Sequence, residues 1–202
     1  MVARKVKEPV FGLKVILMGV QPAVWRRVRM PGDIKLHEVH ELLQVLMGWR
    51  NAHLHRFVIK GEEYGPKWSE YGMAKVRDER RTTLERAVKL AGESFGYDYD
   101  FGDGWHHDIT IEETLPWVKG SWIPVCREGA GACPPEDCGG PIGYQQLLEC
   151  VSDPNHERYE ERNDWLNAGR RIKFDSDRFD LEWTDQALRW TARDLRWHAG
   201  SR

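Results

Sequence analysis

What these 202 residues lack narrows their function first. No apolar run approaches the ~20 residues that a membrane-crossing helix needs, and the basic start Met1-Val-Ala-Arg-Lys-Val-Lys7 lacks the apolar stretch of a signal peptide. The expectation is a cytoplasmic chain with no membrane partner. Cysteine is scarce, four in all, which excludes a disulfide-stapled scaffold. There is no glycine-rich phosphate loop, no paired lysine strand and no catalytic-loop pattern, so Asp100-Phe-Gly102 is not the metal-binding tripeptide of a protein kinase. No internal repeat, low-complexity tract or linker divides the chain, and residues 1–202 are expected to form one domain.

Charge is nearly balanced overall, at −2, but not along the chain. Residues 1–60 carry eleven Lys/Arg against four Asp/Glu, an excess of +7, which leaves −9 for the rest. A total this close to zero disfavours tight nucleic-acid binding, whereas opposed halves are how two faces of one domain attract each other. Ten tryptophans, each able to bury on the order of 200 Å², promise a substantial core.

Hydropathy patterning supplies the elements. Phe11, Leu13, Val15 and Leu17 alternate, as on a half-buried strand. Along Val24–Met30, Val24, Val28 and Met30 share a side with Arg26, and Trp25, Arg27 and Arg29 point the other way. Leu36, Val39, Leu43 and Leu46 follow helical spacing up to Gly48, and His53–Ile59 returns to a period of two. The opening is β-β-α-β, as in β-grasp-like folds. Residues 61–82 read as a surface loop and Leu84–Leu90 as a short helix. Phe95–Phe101 and Trp105–Ile111 are strands joined across Asp103-Gly104, a hairpin signal. Trp122–Cys126 is a further strand. Pro141 opens a helix striped by Tyr144, Leu147, Leu148 and Val151, Asp153-Pro154 opens another that stops at Gly169, and a last one covers 182–197. That last helix sets Thr184, Leu188, Thr191 and Leu195 against Arg189, Arg193 and Arg196. The fold class expected is α+β, a mixed or antiparallel sheet with a helical C-terminal third.

Candidate chemistry gathers at the cysteine-rich loop. Cys133 and Cys138 stand at C-x4-C spacing seven residues past Cys126, among glycines and prolines that allow the tight turns wrapping a metal. A hairpin centred near residue 117 would set His107 opposite Cys126, completing a zinc site of Cys126, Cys133, Cys138 and His107. The competing reading is a rigid turn with buried thiols. Cys150, one turn after Leu147, reads as structural. His53 and His55, at i and i+2, are the next candidates for the fourth zinc ligand, and Glu136 and Asp137 of the loop are further candidate site residues. A second group, around Asp100–His107, has His53, His55, Asp103 and His107 as its working residues. It suits a hydrolytic or metal-binding cluster in which a carboxylate orients a histidine, against a reading of Asp103-Gly104 as turn chemistry. Trp25, Arg27 and Arg29 could stack a base and hold phosphates, or form a solvated sheet face.

Taken together, Leu13-Lys-Val-Ile-Leu17, Pro22-Ala-Val-Trp-Arg-Arg27, Leu36-His-Glu-Val-His40, Met47-Gly-Trp49, His53-Leu-His-Arg-Phe57, Tyr99-Asp-Phe-Gly-Asp-Gly-Trp105 with His107, Cys133-Pro-Pro-Glu-Asp-Cys-Gly-Gly-Pro141 and the Phe174-Asp175 to Phe179-Asp180 stretch resemble the plasmid pRiA4b ORF-3-like proteins over about residues 10–190. The resemblance implies an α+β domain, often encoded on plasmids or mobile elements, with some members described as resolvase-like passengers of insertion elements. Three functions are thereby weighed. One is an intracellular, non-enzymatic binding or accessory module with structural zinc at the cysteine loop. The others are a metal-dependent hydrolase or nuclease using the His/Asp group, and a DNA-binding recombination accessory.

Overall fold

The computed structural model describes residues 9–66, 76–88, 91–118, 121–169 and 172–195. The basic residues 1–7, part of the 61–82 loop, the end of the Leu84–Leu90 helix and Arg196 lie outside these residues. Eight strands make one sheet: β1 (Val10–Leu17), β2 (Val24–Pro31), β3 (His55–Ile59), β4 (Glu62–Gly65), β5 (Arg77–Asp78), β6 (Ser94–Tyr99), β7 (Trp105–Leu115) and β8 (Val125–Ala130). Helices α1 (Leu36–Met47) and the short α2 (Leu84–Ala87) interrupt the strands, and α3 (Gly140–Ser152), α4 (Tyr159–Asn167) and α5 (Leu181–Asp194) follow them. The strand order is β5-β4-β3-β6-β7-β1-β2-β8, antiparallel except for the parallel β4–β5 pair, so the sheet is mixed.

The β-β-α-β opening and the helical C-terminal third are as expected. Period-two patterning explains which face of the sheet is covered. Leu13, Val15, Leu17, Val24, Val28 and Met30 are buried with Trp105, His107, Ile109 and Ile111, on the same face as Leu36, Val39, Leu42, Leu43 and Leu46 of α1. α5 packs against both β8 and α1, with Leu188 and Ala192 fully buried. Among the described residues no helix is long and apolar enough to cross a membrane.

Three expectations need correction. The segment 61–82 is not all loop: β4, β5 and a 3-10 turn at Glu79–Arg81 occupy its described parts, and the turn buries Glu79. The third strand begins at His55, so His53 lies in the preceding loop and does not share a face with His55. The third correction concerns the hairpin of β7 with the strand at 122–126, which does not form. β7 is held between β6 and β1, while β8 runs over 125–130 and pairs with β2. His107 lies opposite Leu17 and Cys126 opposite Val28, on strands separated by β1 and β2. A strand spacing of about 4.8 Å makes that gap three spacings wide. Local hairpin pairing lost because β1 offers β7 a long apolar partner that, with β6, encloses it in the sheet, while β8 takes the free edge of β2.

Candidate functional site

The C-terminal cap of α1 sets the first wall of the site. Gly48, in the left-handed region at φ 73°, ends the helix, and Trp49 N–H returns to the Gln44 carbonyl at 2.9 Å. Every following turn of backbone is tied. Trp49 Nε1 donates to the Pro134 carbonyl at 2.9 Å, Arg50 N–H to the Glu136 carboxylate at 3.2 Å, Asn51 N–H to Gln44 Oε1 at 3.0 Å and Ala52 N–H to Tyr99 Oη at 3.0 Å. This is the mount on which His53 sits.

Beneath that loop runs a closed hydrogen-bond ring. Because Gln44 Oε1 accepts from Asn51 N–H, its amide N–H donates to Tyr97 Oη at 3.0 Å. Tyr97 O–H then donates to His40 Nδ1 at 2.7 Å, and His40 Nε2–H to Asn51 Oδ1 at 2.7 Å. The ring holds Asn51 in the left-handed region, at φ 55°, two residues before His53. His40 stacks on His55, with ring centroids 3.4 Å apart, and His55 Nε2 lies 2.8 Å from the buried Glu79 carboxylate. Burial, then the His55 neighbour, lowers the His40 pKa to about 3. His55 thus serves this buried network rather than the site that His53 enters.

The second wall is the β6–β7 turn. Aromatic alternation buries Phe95, Tyr97 and Tyr99, and Asp100 then leaves the strand at φ 52°. Its Oδ1 accepts from Gly102 N–H at 3.0 Å and from Asp103 N–H at 3.3 Å, so Oδ2 is left to face His53 Nε2 at 3.6 Å. Asp103 takes the turn role and also reaches the third wall: its Oδ2 accepts Gly139 N–H at 3.2 Å. Gly140, at φ 69°, lies so close to the Asp103 carbonyl that any side chain would collide with it.

The third wall is Cys133–Gly140. Glu136 accepts the Tyr99 O–H at 2.6 Å, and Asp137, at φ 60°, brings Oδ1 to 3.2 Å from His53 Nε2. His53, Asp100 and Asp137 therefore converge, one ligand atom from each lying within 4.8 Å of the others. Two of the three hold positive φ, a conformation that costs energy and gathers at functional sites. His53 Nε2 is shielded from solvent yet meets neither carboxylate in hydrogen-bond geometry. Asp100 is nearly buried and the Asp137 side chain is 73% exposed, so the cluster is closed on one side and open on the other. One imidazole and two carboxylates are a donor set for a divalent cation of hard or borderline character.

The cysteine quartet is not assembled. Among the described residues, His53, Asp100 and Asp137 are the one group of three such ligands to converge, and Cys126, Cys133, Cys138 and His107 supply none. His107 instead donates from Nδ1 to the Tyr97 carbonyl at 3.1 Å and stands edge-on to Trp49. Burial pushes the Cys126 thiol up to about 11 and the Cys138 thiol up to about 12, and raises Cys133 further. The basic strand face also has partners of its own: Arg27 pairs with Glu112 and Glu128, both at 2.7 Å, and Arg29 with Glu113 at 3.2 Å, while Lys14 and Arg27 flank Trp25. This is a solvated sheet face neutralised by its neighbours.

Of the expected site residues, the structure brings His53 and Asp137 together and places Glu136 and Asp103 immediately behind them as positioning groups. Asp100 takes the role the spacing assigned to Asp103. The signal for it was its place at the end of the strict aromatic alternation, where the chain must leave the strand.

Comparison with known proteins agrees with this frame. The chain is 48% identical over 157 residues, covering 77% of it and 80% of the relative, to uncharacterized protein y4hQ of Sinorhizobium fredii strain NGR234. A crystal structure of MM3350, a protein of unknown function from Methanosarcina mazei Go1, superposes with a TM-score of 0.78 at 33% identity, covering 87% of this chain and 97% of that one. Residues 9–183 match the model of the plasmid pRiA4b ORF-3-like proteins, and the chain belongs to that family.

Proposed function

We propose that this chain is a metal-dependent hydrolase of phosphodiesters, with His53, Asp100 and Asp137 holding a divalent ion. The observation that supports this reading best is the His53 nitrogen, shielded from solvent between two carboxylates that it does not hydrogen-bond. Such an ion would polarise a phosphoryl oxygen and lower the pKa of bound water. The chain's own residues do the positioning. The ring through His40 and Asn51 fixes the loop of His53, the turn bonds aim Asp100 Oδ2, and Tyr99 anchors Glu136 beside Asp137.

Asp137 also lines a groove of about 880 Å³ whose walls carry Arg50, Lys173 and Arg178 beside Glu136, Asp175 and Asp180. A phosphodiester lying in that groove would reach Asp137 on the open side of the cluster. DNA is the polymeric case of such a substrate.

With bis(p-nitrophenyl) phosphate as probe, hydrolysis is expected only with an added divalent ion such as Mn²⁺ and is abolished by chelation. Asp137→Asn should lower the rate on the order of 100-fold or more, because loss of even an outer-shell partner costs 10–100-fold. Its melting temperature should not move, since the side chain is exposed. Absence of hydrolysis with every divalent ion, or a rate untouched by Asp137→Asn, would overturn the proposal.

A further inference from the structure

Far from the His53 cluster in sequence, α3 and the turn after it bring a thiol and an imidazole together. Cys150 Sγ lies 3.2 Å from His156 Nδ1. The same nitrogen receives the Arg158 backbone N–H at 3.1 Å. A backbone amide can only donate, so Nδ1 is a lone-pair acceptor, the ring proton is on Nε2, and the thiol S–H is directed at Nδ1. The Arg158 N–H and the thiol S–H thus share the one lone pair of Nδ1, and the turn holds that nitrogen beside the sulfur. Asp153 shapes that turn by accepting Asn155 N–H at 2.9 Å, and its carbonyl accepts His156 N–H at 3.0 Å.

Cys150 is only 6% exposed, but with His156 it lines a pocket of about 480 Å³ shared with Cys138, Gln146, Asp153 and Arg158. That volume is within the range of small-molecule sites. A nucleophile within hydrogen-bond reach of an oriented base is the arrangement that activates cysteine.

We propose that Cys150 and His156 form a thiol–imidazole pair that makes Cys150 the reactive thiol of this protein, modified reversibly by a low-molecular-weight disulfide entering the pocket. In that exchange the Arg158 N–H releases His156 Nδ1, the S–H proton passes to that nitrogen and Cys150 Sγ attacks one sulfur of the disulfide. A new S–S bond forms as the old one breaks, and the departing thiolate takes up the proton. No other oxidant is needed. Cys126 is the built-in control: it is buried like Cys150, but its thiol donates to the Glu128 carbonyl at 3.7 Å rather than to an imidazole.

The test uses the native full-length chain, labelled with iodoacetamide at pH 7 and read by peptide mass spectrometry. Cys150 is expected to react at least ~10-fold faster than the other three thiols, as expected of an activated thiol. In His156→Asn the amide oxygen can still accept the Arg158 N–H, so the turn is kept while the base is lost, and the Cys150 rate should fall on the order of 10-fold with circular dichroism unchanged. Glutathione disulfide should leave one glutathione on Cys150, removable by a thiol reductant and absent from Cys150→Ser. Labelling of Cys150 no faster than the other cysteines, or a rate indifferent to His156→Asn, would overturn the pairing. Fast alkylation without a glutathione adduct would overturn the disulfide as its partner.

Discussion

At pH 4.5 the protein will be several kcal/mol less stable than at pH 7, with a large share of the loss coming from two buried histidines. Burial holds two histidines neutral: His40, lowered to about 3, and His107, lowered to about 4. An unfolded histidine titrates near ~6.5. Above that pH both states carry neutral rings and stability is complete. As the pH falls below it, the unfolded chain takes up protons that the folded chain refuses, so stability is lost progressively from pH ~6.5 down to the folded values. At pH 4.5 the loss is about 2–3 kcal/mol per histidine, at ~1.4 kcal/mol for each pH unit. Against a typical stability of 5–15 kcal/mol this is a large fraction. Urea unfolding at a series of pH values will show the midpoint falling between pH 6.5 and 4.5, with about half the slope in His40→Gln. A flat midpoint across that window would contradict the burial of both rings.

Arg26 carries the second large effect. It is 2% exposed, and its guanidinium donates to the carbonyls of Leu46, Trp25, Ala130 and Gly131 at 2.6–3.1 Å and stacks on Phe179, 4.0 Å from the ring centroid. One side chain thereby joins β2, the C-terminal end of α1, the end of β8 and the chain before α5. The α1 carbonyl lies at the negative end of the helix dipole, which suits a cation. Arg26→Met removes every one of these bonds, so a loss of about 3–5 kcal/mol is expected, at about 1–3 kcal/mol for each buried carbonyl left unpaired. Arg26→Lys will recover only part, because an ammonium lacks the planar fork that reaches carbonyls on several sides. Chemical denaturation of the three proteins measures both. A loss within 1 kcal/mol for Arg26→Met would show the bonds to be replaceable by apolar packing.

The strands β1, β2, β6 and β7, the helix α1 and the inward placing of Arg26 were legible in the sequence, because each follows from a period of two or 3.6 that burial on one face enforces. The pairing of β7 was not. Local hairpin logic favoured the nearby segment at 122–126, and nothing in either segment reveals that β1 and β2 lie between them in the sheet. That single misplacement carried the zinc reading with it, since His107 was its fourth ligand. The Cys-Pro-Pro-Glu-Asp-Cys loop marks the site after all, but through the carboxylates between its cysteines. Asp137 turns outward on a left-handed backbone while the thiols turn in. His53 and Asp103 were legible by residue type. That Asp100 rather than Asp103 faces His53 depends on one turn's backbone angles, which residue spacing does not encode.

The convergence of His53, Asp100 and Asp137 on a divalent ion is tested most directly by pulsed electron paramagnetic resonance of the protein with one equivalent of Mn²⁺. The expected spectrum carries the nitrogen modulation of a single coordinated imidazole, present in the native chain and in His106→Ala, whose ring lies on the opposite, exposed face of β7. It should vanish in His53→Ala. Failure of Mn²⁺ to bind, or a nitrogen modulation that survives the loss of His53, would contradict the metal centre.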